Sequence, residues 1–161
     1  MKEMRLAVIL LSMMILLTCA HHAERCSVCQ REVHASVRAV LTLPDGERIT
    51  TCCPRCALHY QAESGKMAAN ITVTDDGGGG MLPLGRAFLV EGSDETPCTH
   101  HAPMADAGGG PMQICYDRCM PSLIAFRDEM AAREFAAVHG GTVFVPGEFP
   151  GLEKTVSPMN R

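Results

Sequence analysis

The chain has 161 residues, 47% apolar and 20% charged. That composition is globular, excludes global disorder, and allows one ordinary domain or two very small ones. Net charge is −4, pI about 5.9, Trp is absent and aromatic residues are 4%, which argues against nucleic-acid binding or base stacking. Nine cysteines and eleven methionines make soft sulfur donors the dominant chemical feature.

Lys2 and Arg5 precede an apolar run over 6–17 in which only Ser12 is polar. A charged start followed by such a run is a secretory signal, and it is too short to span a bilayer, which needs about 20 residues. The run continues through Leu16-Leu17-Thr18 into Cys19, the arrangement of a bacterial lipoprotein signal. The expectation is removal of residues 1–18 and acylation of Cys19, which tethers the protein to the periplasmic side of a membrane. A plain cleaved signal and an uncleaved anchor are the alternatives.

After a polar leader over 19–25, a first unit is expected over 26–76. Val37, Ala39, Leu41 and Leu43 alternate along a strand over 35–43, and Pro44-Asp45-Gly46 is a turn signal. A second strand over 47–51 completes a hairpin. Pro54 suits the first turn of a helix running to 63, Gly65 ends it, and a strand over 70–74 follows. Asp75-Asp76 reads as a solvated turn, and the glycine-rich stretch over 77–84 as a flexible link.

A second unit is expected over 85–150. It has a strand over 86–90, an irregular stretch over 92–110 and a strand over 111–116. A helix over 128–139 follows, capped by Asp128, with Ala131, Phe135 and Val138 along its apolar face. Gly140 and Gly141 end that helix, a strand over 142–145 closes the unit, and the tail over 151–161 is loose. The repeated order predicts an α+β fold of two ββαβ-like halves.

Cys26-x2-Cys29 and Cys53-x2-Cys56 flank the first hairpin. Two such pairs separated by about 15–20 residues are the usual spacing of a zinc ribbon. Knuckle, hairpin and helix in that order give a treble-clef-like or zinc-ribbon-like first half. Thiols at a helix start are shifted towards thiolate by the unpaired N–H groups there. Cys52 adds a fifth sulfur and His59 lies on the same helix, more ligands than a structural zinc needs. A structural zinc and a Cys26–Cys29 disulfide or redox pair are the competing readings.

A second group comprises Cys98, His100, His101, Met104, Met112, Cys115, Cys119 and Met120. Mixed thiolate, imidazole and thioether donors favour Cu(I), with zinc second. Pairing of Cys98 with Cys115 or Cys119 competes with this, and Met104 and Met120 are equally readable as core. The eight cysteines beyond Cys19 could also form a disulfide scaffold. No phosphate loop, dinucleotide fingerprint or nucleophile elbow is present, so no catalytic residue is assigned and an enzyme is not expected. A thiol–disulfide oxidoreductase using Cys-x2-Cys is the enzymatic alternative.

Taken together, these motifs resemble the NosL family of nitrous oxide reductase accessory lipoproteins. The resemblance rests on Cys19, the Cys26-Ser-Val-Cys29 knuckle, Val40-Leu-Thr-Leu-Pro-Asp-Gly46 and Leu58-His-Tyr60. It continues through Val73-Thr-Asp75, Ala87-Phe-Leu-Val-Glu-Gly-Ser-Asp94, Gly110-Pro-Met112, Ala125-Phe126, 132–135 and His139-Gly-Gly141. It implies an exported, membrane-tethered Cu(I) metallochaperone that helps assemble the copper centres of nitrous oxide reductase. It also implies small ββαβ units like those of organomercurial lyases. On this resemblance Cys26, Cys29 and Met112 are copper ligands, and the partners are a membrane surface and a copper-enzyme client. Gln30-Arg31 stand where the family has Gly-Met, and Cys52, Cys53, Cys56, Cys98, Cys115 and Cys119 lie beyond its pattern. Zinc in the Cys26/Cys29/Cys53/Cys56 set, with copper in the second group, is therefore a further expectation.

Overall fold

The computed structural model describes residues 23–95 and 118–152. Strand β1 (Ala39–Thr42) forms a hairpin with β2 (Arg48–Thr51), and helix α1 (Pro54–Ser64) follows. Next come β3 (Asn70–Thr74), β4 (Met81–Pro83), a 3-10 turn over Leu84–Arg86 and β5 (Phe88–Glu91). Strand β6 (Leu123–Phe126), helix α2 (Glu129–His139) and β7 (Thr142–Phe144) complete the described elements. The result is an α+β fold with two antiparallel sheets, ordered β2-β1-β3-β4 and β6-β5-β7.

The two halves share one topology. In each, the first strand is central, the second flanks it, a helix follows, and the third strand returns to the other flank. Strand β4 is an addition to the first sheet.

In that sheet one face is built by alternation. Ala39 lies opposite Val73, Leu41 opposite Ile71 and Val73 opposite Leu82, all buried. They meet Ala57 of α1, Leu89 of β5, and Leu123 and Ala125 of β6 in one main core. The second sheet is covered on both faces. Leu89, Leu123 and Ala125 face the main core, whereas Val90, Ile124 and Phe126 pack under α2. A strand buried on both faces shows no alternation, which is why β6 is not evident in the sequence.

Three local expectations are corrected. Gly77–Gly80 is not a flexible link but the turn between β3 and β4: Asp75 N–H donates to Gly80 O (2.8 Å), and Gly79 N–H to Asp75 O (2.7 Å). Asp75 is not solvated. It is 6% exposed and accepts from the N–H groups of Gly77 and Arg127. Val138 faces solvent, and the buried face of α2 is centred on Ala132, with Ala131, Phe135 and Ala136 around it.

The expected helix boundaries otherwise agree with the structure. Gly65 sits at φ 68° and caps α1, and Asp128 accepts from Met130 N–H (2.8 Å) and Ala131 N–H (3.2 Å) to cap α2. Among the described residues, no helix is long and apolar enough to cross a membrane. The expected lipidation site Cys19, the strand over 111–116 and the tail beyond 152 lie outside the described residues.

Candidate metal centre

Three chain segments deliver six cysteines to one place. The first is the knuckle. Arg25 and Glu32 form a small antiparallel bridge, Cys26 N–H donates to Arg31 O (2.8 Å), and Gln30 N–H donates to Cys26 O (3.0 Å). Val28 N–H points at Cys26 Sγ (3.4 Å), and Gln30 takes φ 63° directly after Cys29. A tight turn of this kind aims two sulfurs at one point, and the left-handed residue after it is where glycine is the easier choice. Ser27 fixes the knuckle to the hairpin, its N–H and Oγ both donating to Thr50 O (3.1 Å each).

The second segment is the junction from β2 into α1. Thr51, fully buried, donates from Oγ1 to Ala39 O (3.3 Å) and Cys53 O (3.2 Å), which holds Cys52 and Cys53 as the strand ends. Cys53 is the extended N-cap of α1, Pro54 occupies the first turn, and Cys56 lies one turn in. No side chain caps this helix, so its open N–H end lies among the sulfurs and favours negative charge there.

The third segment, over 118–121, comes from the second half. Arg55 Nε of α1 donates to Pro121 O (2.9 Å), and Arg118 Nη1 pairs with Glu63 Oε2 (2.7 Å), so both ends of the segment are fastened to α1. Arg55 also pairs with Glu91. Cys119 is thereby buried against the cluster, and Arg31 Nη1 lies 3.4 Å from its Sγ.

Cys26, Cys29, Cys52 and Cys56 present sulfurs all within 4.8 Å of one another, as do Cys52, Cys53, Cys56 and Cys119. Individual separations are 3.4 Å for Cys29–Cys52, 3.7 Å for Cys52–Cys56, Cys52–Cys119 and Cys56–Cys119, and 3.9 Å for Cys52–Cys53. A tetrahedral ion with sulfur at about 2.3 Å requires sulfur–sulfur edges of about 3.8 Å, close to these five separations. No disulfide joins any two of these six cysteines.

Crowding sets their protonation. Cys29 opposes ionisation of Cys26, but contacts from Cys52 and Cys56 outweigh it and hold the Cys26 thiol down to about 6. Cys29, despite Cys119, is driven well below the ordinary thiol range by Cys26, Cys52 and Cys56. Cys119 is lowered by Cys29 first and then by Cys52 and Cys56. Cys52 and Cys56 are pushed up, each by Cys119 first and then by Cys26 and Cys29, and keep their protons. Ionisation is thus favoured at the knuckle and Cys119 and disfavoured at the two central sulfurs.

The structure redistributes the two ligand groups expected from sequence. Cys119, expected in the second group, lies with the cysteines of the first. Met120, next to it, is 46% exposed, not core. His59 stands apart from both sulfur tetrads and lines a cavity of about 530 Å³ with Arg55, Leu58 and Met67. Cys98, His100, His101, Met104, Met112 and Cys115 lie outside the described residues. The surplus sulfur at Cys52 was the sequence's only sign that a further ligand would converge on this site.

No family model matches the chain, and no curated protein matches it by sequence. Its structure is similar to that of the copper chaperone NosL from Shewanella denitrificans, with a TM-score of 0.56 over 78% of this chain and 89% of that one, at 14% identity. The chain shares a NosL-like fold. At that identity the likeness concerns architecture alone. The NosL-like fold thus carries a metal-competent cysteine cluster in its first half, completed by one residue of the second.

Proposed function

We propose that this chain is an exported, lipid-anchored protein that holds Cu(I) on its cysteine cluster and passes it to a copper-enzyme client. The observation that carries this reading is the convergence of six cysteine sulfurs from three segments at the start of α1. Thiolate donors select Cu(I) and zinc over hard cations, and the shared fold with a copper chaperone favours copper. Cys29 is the one cluster cysteine that is not fully buried, so an acceptor's ligand would enter there and replace the thiolates one at a time. The signal pattern ending at Cys19 supports acyl anchoring on the periplasmic side. Maturation of nitrous oxide reductase is the client role that the family resemblance favours.

One observation favours a second reading, a structural zinc module. Cys26, Cys53, Cys56 and Cys119 are each at most 1% exposed, as in closed structural sites.

The test is metal and free-thiol content of the full chain, purified anaerobically from membranes. Copper with free thiols, released to a competing Cu(I) chelator, supports delivery. Zinc that resists mild chelation supports the structural module. Oxidised thiols without metal overturn both.

A further inference from the structure

We propose that the six cysteines form a binuclear centre in which two metal ions share the sulfurs of Cys52 and Cys56. The inference rests on the metal-binding reading above and extends it to a stoichiometry and a ligand assignment. Two four-sulfur sets are each compact enough for one ion, and they overlap in two residues, Cys52 and Cys56. Cys26 and Cys29 remain as end ligands of one ion, Cys53 and Cys119 as end ligands of the other.

The separations support sharing. Cys52 lies 3.7 Å from Cys56, close to the edge of about 3.8 Å expected for one thiolate-bound tetrahedron, so this pair can serve as the common edge of two. Cys52 is central, 3.4 Å from Cys29, 3.9 Å from Cys53 and 3.7 Å from Cys119, and Cys29 and Cys119 are themselves 4.0 Å apart, so the six sulfurs pack as one continuous cluster. A single ion would use four sulfurs and leave two reactive thiols packed against it. In that case either Cys26 and Cys29 or Cys53 and Cys119 would have no ligand role.

Charge favours two ions as well. Six thiolates carry six negative charges, and in this buried site Arg31 is the arginine that reaches a cluster sulfur. Such charge is not sustained without cations, and a second ion doubles the compensation, two Cu(I) ions neutralising two of the six charges and two divalent ions four. On binding, each remaining thiol exchanges its S–H bond for an S–metal bond and releases its proton to solvent, with no change in oxidation state.

Cadmium is the probe, added to the reduced full chain in detergent with Cys19, Cys98 and Cys115 changed to Ser, so that only the cluster thiols remain. Native mass spectrometry should count two cadmium ions per chain. Cadmium NMR should show two sulfur-bound resonances coupled to each other through the shared sulfurs. Adding Cys53→Ser and Cys119→Ser should reduce the count to one. Should that variant fail to fold, the count and coupling of the parent protein decide. Saturation at one ion would overturn the binuclear centre and leave the metal-binding reading intact. Two uncoupled resonances would overturn the sharing. No bound ion would overturn both.

Discussion

Cys26 shows how neighbours change a single side chain. Its thiol is brought down to about 6 by the opposing effects of Cys29, Cys52 and Cys56, so at neutral pH it is already a ligand. Below about 6 it is protonated, and a proton then competes with the ion for its sulfur. Metal retention should therefore fall as pH drops through 6, measured as release to a colorimetric chelator. Cys52 and Cys56 have the opposite sign. Their raised folded-state values stabilise the metal-free, reduced fold below the usual thiol value of 9.0, and that contribution is lost as pH rises above it. The identity of these ligands is legible in the sequence, because two Cys-x2-Cys pairs announce themselves. Their unequal protonation is not, because it depends on which sulfurs touch.

At the scale of elements, caps and turns carry most of what the sequence reveals. Pro54 and Gly65 bound α1, and Asp128 starts α2, each through a local rule that operates within a few residues. Asp128→Ala should lower stability by about 1 kcal/mol in chemical denaturation and leave metal stoichiometry unchanged, since α2 packs under the second sheet away from the sulfurs. Where sequence reading falls short, a non-local contact decides. The four glycines look like a link, yet the buried Asp75 carboxylate ties their turn to Arg127 and makes them a hairpin. Val138 fits a helical stripe, but the sheet contacts the neighbouring face of α2. Strand β6 is apolar on both faces because it lies between the main core and α2.

Across the whole molecule, the β-β-α-β order of the first half is readable from its hairpin, helix and strand, and in the second half β5, α2 and β7 are readable but β6 is not. The convergence of Cys119 on the first half's cysteines is not, since residues 63 and 67 positions apart have no spacing rule to connect them. The arginine contacts from α1 to the 118–121 segment make that connection. Ions bound in the two overlapping sets would therefore cross-link the knuckle to α1 and α1 to the approach to β6. Stripping the metal with a chelator under reducing conditions should lower Tm by at least about 10 °C by calorimetry, because metal-binding energy at such a site is folding energy. Cys119→Ser should make the protein less sensitive to that treatment.

The most direct measurement is X-ray absorption at the metal edge of the full chain, loaded anaerobically with Cu(I) and, separately, with zinc. A first shell of sulfur alone is predicted for both ions, at about 2.3 Å for zinc. A shell dominated by nitrogen or oxygen, or a protein that retains neither ion, would contradict a thiolate metal centre at Cys26, Cys29, Cys52, Cys53, Cys56 and Cys119.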